Sequence, residues 1–276
     1  MLAALGTKER QINNFEKYGF LAEDDLGFVN ALEDKYGSYL SICRELNEFS
    51  QKLQYDLDIH NEYNAEILSA TCYSQVLSTY QATILISRKG MKQQFHVLLR
   101  CMLEPLFPLV AISKNLSFAN ILVEADEVER LKNINKYIRY CERNNIKSND
   151  LSRAHELKVK VAENIQAKGL KKVSIYDCAK EAGLEDWYDT LYSHTSSYLH
   201  ATVSSLEDQL ILDENNQKIT ALKNEPELDG FGDLYSTIIR CMLVAIQAVC
   251  SIFKIEEPAI IEKTSGSLME LESKSA

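Results

Sequence analysis

From Asn61 to Arg88 the chain runs without a glycine or proline, and Ile67, Leu68, Cys72, Val76, Leu77, Tyr80, Ile84 and Leu85 recur at the three-to-four spacing of one helix face. An apolar stripe that continues for about seven turns without a breaker specifies a long central helix. The same economy holds throughout, with only ten glycines and four prolines in 276 residues. A sandwich or barrel of short strands needs a turn signal roughly every ten residues, so the composition excludes that class. The expected fold is all-α, a bundle of long antiparallel helices.

Around that helix the chain divides into an N-terminal helical extension (1–58), a bundle (59–255) carrying an inserted basic hairpin (130–172), and a flexible polar tail (256–276) rich in Ser and Glu. The extension reads as two or three amphipathic helices between Thr7 and Leu57, forming an accessory hairpin. Met91 to Lys114 is apolar nearly all round, as a buried central helix is, and Pro105 and Pro108 predict a kink or an end there. Phe118–Asn145 and Ser148–Lys168 form the hairpin. A helix from Leu184 to about Leu210 follows, then a polar loop from Asp213 to Gly232 and a last apolar helix from Phe231 to Lys254.

Leu234 to Phe253 could pass for a membrane span, but Arg240 and Gln247 interrupt it, so it reads as a core helix and no membrane partner is expected. MLAALGTKERQ lacks the pattern of a signal peptide. Seven cysteines, with no Cys-x-x-Cys and no histidine at zinc spacing, suit structural thiols in a reduced, cytoplasmic chain. No cofactor is expected, because the glycine-rich phosphate loop, the dinucleotide fingerprint, the nucleophile elbow and the zinc-protease motif are all missing.

The formal charge is −10, yet Arg130 to Lys172 holds twelve Lys or Arg against four acids. Such a patch draws phosphate by counterion release, which makes Lys132, Lys136, Arg139, Arg143, Lys158, Lys171 and Lys172 candidate contacts to RNA or another phosphate-bearing ligand. A solvated helix pair balanced by acidic neighbours is the alternative.

Two polar constellations interrupt apolar helices: Arg100-x-x-x-Glu104, and Tyr192-x-x-x-Ser196-x-x-x-His200. Residues four apart share a helix face, and buried polar groups need partners. A histidine exchanges protons near neutral pH, and an arginine fork matches an oxyanion, so together they suit metal-free phosphoryl chemistry. In that arrangement His200 is acid or base, Ser196 one turn away fixes its tautomer, Tyr192 lies on the same stripe, and Arg100 beside Glu104 stabilises the developing charge. Taken separately, each set also reads as structure: an internal Arg100–Glu104 salt bridge and a half-buried, hydrogen-bonded histidine. His194 and His200 project about 120° apart on one helix and cannot clamp a metal together.

LLRCMLEPL around Arg100 and Glu104, followed some ninety residues later by LYSHTSSYLHAT, resembles an uncharacterised family of bacterial helical proteins of unknown function, itself similar to the HEPN superfamily. The likeness covers roughly Asn61 to Phe253. It implies a helical bundle, often a homodimer, acting as a metal-independent RNase in defence or toxin-type systems, with His200 at the position of the active histidine. That superfamily places an arginine four to six residues before the histidine on one helix, whereas here Arg100 would act from another. A non-catalytic sensor or interaction module, partnered with a separate operon-encoded effector, is the competing expectation. A nucleotide-binding bundle without cleavage is a third.

Overall fold

A computed structural model describes residues 14–275, apart from 24, 201, 214, 216, 217 and 224. The chain is all-α with one small sheet. The helices, in order, are α1 (Asn14–Tyr18), α2 (Leu26–Asp56), α3 (Asn64–Ser87), α4 (Lys92–Lys114), α5 (Phe118–Arg143), α6 (Asn149–Lys168), α7 (Ile175–Ala182), α8 (Glu185–Trp187), α9 (Ser193–Leu199), α10 (Val203–Glu207), α11 (Phe231–Phe253) and α12 (Ile260–Ser275). A 3₁₀ turn follows α1, and a π-helical turn, Tyr188–Tyr192, joins α8 to α9. Strands β1 (Leu210–Leu212) and β2 (Ile219–Leu222) pair antiparallel where a loop is expected.

The core lies among α2, α3, α4 and α11. Within it, buried tyrosines hand their hydroxyls across helix boundaries. Tyr80 donates to the Cys43 carbonyl at 3.0 Å, and Tyr235 donates to Ser87 Oγ at 2.7 Å. Each ring thus fills space while its polar tip is satisfied. The turn from α3 into α4 depends on Gly90 at φ +68°, where a Cβ would stand 2.7 Å from the Glu227 nitrogen and from the Pro226 side chain. The helix α4 runs through Pro105 and Pro108 without ending. The carbonyls those prolines leave free belong to exposed residues, Cys101 and Glu104, so water can take them.

Three boundaries differ from those expected of the sequence. Within the N-terminal segment, whose residues 1–13 lie outside the described part, α2 is one helix of 31 residues, and Leu32, Tyr36, Tyr39, Cys43 and Leu46 belong to the common core rather than to an accessory hairpin. At the other end, 260–275 is not a loose tail. It forms α12, which buries Ile261, Thr264 and Leu268 and ties Glu272 to Arg240 at 2.6 and 2.9 Å.

The third difference is the helix expected from Leu184 to about Leu210, which stops at Leu199 with His200 as its C-cap. Ser193, Thr195, Ser196 and Ser197 each donate their hydroxyl to a helix carbonyl three to five residues back. Hydroxyls bonded this way compete with the backbone ladder and shorten helices.

The helices α4 and α11 are long and apolar enough to cross a membrane, but two-thirds of each such stretch is buried inside the bundle. All seven cysteines are free, five of them buried.

Candidate functional site

The α4–α9 seam and the α5–α6 hairpin carry the residues singled out by sequence. In the seam, α4 presents His96, Arg100 and Glu104 at helical spacing toward the π turn and α9. Arg100 is only 5% exposed. Nε donates to Ser196 Oγ at 2.8 Å, and Nη2 donates to the Tyr192 hydroxyl. Ser196 in turn donates its hydroxyl to the Tyr192 carbonyl at 2.8 Å. Nη1 stands 2.8 Å from Glu104 Oε1 yet has no acceptor along its N–H directions, so that contact is coulombic rather than a hydrogen bond. The Tyr192 ring also receives the guanidinium on its face. Burial is the main cause holding the Tyr192 hydroxyl above its usual pKa, against the pull of Arg100.

The seam therefore brings together Arg100, Glu104, Tyr192 and Ser196, the set that four-residue spacing predicts, but not His200. That residue is exposed at the C-cap of α9, and among the described residues no hydrogen bond, ion pair or ring contact engages its side chain. A different imidazole pair occupies the seam. His96, one turn before Arg100, stacks on Tyr198 at 4.4 Å between ring centroids and faces His194 at 5.8 Å, and Tyr198 donates to Asp208 at 2.8 Å. Burial, with help from His194 and Lys92 and against Asp208, lowers the His96 pKa to about 4, and its buried Nδ1 has no partner. Sequence reasoning passed over His96, although its spacing of four before Arg100 is the same signal that marks Glu104. Among the described residues, no three His, Cys, Asp or Glu side chains converge as a metal site.

The second region is the hairpin. Its α6 packs on α5 and on no other element to a comparable extent. The base is charge-balanced: Lys132 and Lys172 both meet Glu129, at 3.1 and 3.0 Å, while Lys168 meets Glu124 at 3.5 Å. Near the tip Arg153 meets Asp150 at 3.7 Å, but other cations of the hairpin stand alone. Lys136, Arg139, Arg143, Lys158 and Lys171 are exposed and have no ion-pair partner among the described residues. A groove of about 520 Å³ between the two helices is lined by Lys132, Arg139 and Lys158 with His155, Asn135 and Glu142.

Residues 66–219 match the model of a family of unknown function, more than half of the chain. The chain belongs to the DUF5677 family. The DUF5677 region contains both arms of the seam and the whole α5–α6 hairpin, while all of α2, α11 and α12 lie outside it. No curated protein and no solved structure matches the chain.

Proposed function

We propose that this DUF5677 chain is a HEPN-like helical protein that binds RNA through the phosphates, with the α5–α6 hairpin as its working surface. One observation carries the reading. Lys132, Lys136, Arg139 and Arg143 lie within about 60° of one another on α5, all exposed, on the helical face that at Phe118 and Leu122 packs into the bundle. The face changes from apolar to cationic where α5 leaves the core. A solvated helix needs no such alignment, whereas a polyanion does.

On this reading the Arg100 cluster is architectural, because the guanidinium is buried, with Nε and Nη2 committed to Ser196 and Tyr192 and Nη1 set against Glu104. To test RNA binding, a labelled oligonucleotide is titrated with the full chain and with a Lys136→Glu, Arg139→Glu variant over a range of salt. Binding should weaken steeply with salt in the parent and be largely lost in the variant. Equal affinity of the two proteins would refute the assignment.

A second reading, metal-independent RNA cleavage by a HEPN-like effector of a defence or toxin-type system, draws support from one further observation. The His96 and His194 imidazoles meet edge to face, 5.8 Å between centroids, beside Arg100, whose Nη1 still has an N–H to give. In that case His194, not His200, exchanges protons with the substrate.

A further inference from the structure

The hairpin carries, next to its cationic stripe, two large aromatic side chains with exposed rings, although the Tyr137 hydroxyl also bonds to Cys141 and Ser148. On α5, Tyr140 is 51% exposed and Tyr137 is 41% exposed. At about 100° per residue, Tyr140 projects some 40° beyond Lys136, and Tyr137 a further 60° in the same direction. The cations therefore form one line along the helix, and the two rings form a second line beside it on a single flank. On the opposite flank, Lys158 and His155 reach from α6 into the groove. Tyr137 borders a shallower groove with Arg130, Asn133, Ile134 and Leu157.

Resting on the proposed RNA binding, we infer that the ligand is a single strand, its phosphates on Lys132, Lys136, Arg139 and Arg143 and its bases turned onto Tyr140 and Tyr137. Successive cations on the stripe rise by about 4.5 to 6 Å, a step suited to consecutive phosphates of an extended strand. In a duplex the bases are stacked on one another and offer no face to a tyrosine. The deep major groove of A-form RNA also keeps side chains from the base edges. A stripe of cations beside exposed rings is the arrangement that binds single strands by charge and stacking together. Such a surface tolerates any sequence, because every base presents a flat face.

The test uses the full chain and fluorescence anisotropy, with a labelled twelve-nucleotide oligo-U and a twelve-base-pair RNA duplex as probes. The single strand should bind at least tenfold more tightly than the duplex. Its log Kd against log salt should have a slope magnitude of about 3, as expected for four neutralised phosphates. Tyr140→Ala should weaken single-strand binding roughly tenfold and leave duplex binding unchanged. Tyr137→Ala should act in the same direction. Both side chains are exposed, and an unchanged far-UV spectrum and melting curve would show that the variants fold. Equal binding of strand and duplex, or full affinity in both tyrosine variants, overturns the single-strand inference. If at the same time Lys136→Glu, Arg139→Glu abolishes binding, phosphate recognition by the hairpin stands. If that charge variant binds as well as the parent, both the inference and the reading beneath it fall.

Discussion

The guanidinium carbon of Arg100 lies 3.4 Å from the centroid of the Tyr192 ring, and the same group donates through Nη2 to the Tyr192 hydroxyl. One planar cation thus packs against an aromatic face and bonds its polar tip. A lysine ammonium, lacking the planar fork, cannot pack flat on the ring and reach both Tyr192 and Ser196 at once. Arg100→Lys should lower stability by about 2 kcal/mol and Arg100→Ala by about 3 kcal/mol, because both leave part-buried partners unsatisfied around a buried site. Glu104 is half exposed, so Glu104→Gln should cost less than about 1 kcal/mol. Urea unfolding of the three variants checks the ranking.

His96 links the seam to pH. Its folded-state pKa of about 4, depressed by burial, lies below the unfolded value near 6.5. The folded chain then binds fewer protons than the unfolded chain between those limits. The contribution is fully present above pH 6.5 and is lost as pH falls toward 4, with a slope of up to about 1.4 kcal/mol per pH unit. His60, raised by its hydrogen bond to Glu66, works in the opposite direction, so the informative quantity is a difference. His96→Phe keeps a ring against Tyr198 and should flatten the stability profile between pH 6.5 and 5 relative to the parent.

Deleting α12 should expose the surface of α2 and α11 that Ile261 and Leu268 cover. A chain ending at Pro258 should melt several degrees lower. Leu268→Ala alone, at a site 2% exposed, should cost about 2 to 3 kcal/mol. Differential scanning fluorimetry distinguishes a docked helix from a dispensable one.

Cleavage separates the two readings of the seam. Under the preferred one, labelled RNA incubated with the chain in EDTA stays intact. Cleavage that vanishes in His194→Ala and survives in His200→Ala would select the second reading and place the chemistry between α4 and α9.

Much of this fold is legible in the sequence because its long helices keep an apolar stripe without breakers, as in α3 and α11. Arg100, Glu104, Tyr192 and Ser196 come together for the same reason: residues four apart share a face, and buried polar groups seek one another. His200 follows that spacing too, but the hydroxyls of Ser193, Thr195, Ser196 and Ser197 bond back to carbonyls, and the helix ends before the histidine can join. A residue pattern records angle along a helix and not where the helix stops. The docking of α12 is hidden differently. Ile261, Thr264 and Leu268 sit at helical spacing inside a segment whose Ser and Glu content resembles a solvated tail. The stacking of His96 on Tyr198 joins residues about a hundred positions apart, which no local pattern reports.

RNA recognition by the hairpin is tested most directly by locating the ligand on the chain. Photocrosslinking a 4-thiouridine-substituted single strand to the full chain, followed by peptide mass spectrometry, should place the adducts between residues 132 and 160, with Tyr140 and Tyr137 among the modified residues. Adducts confined to the α4–α9 seam, or a uniform scatter over the surface that ignores the hairpin, would contradict it.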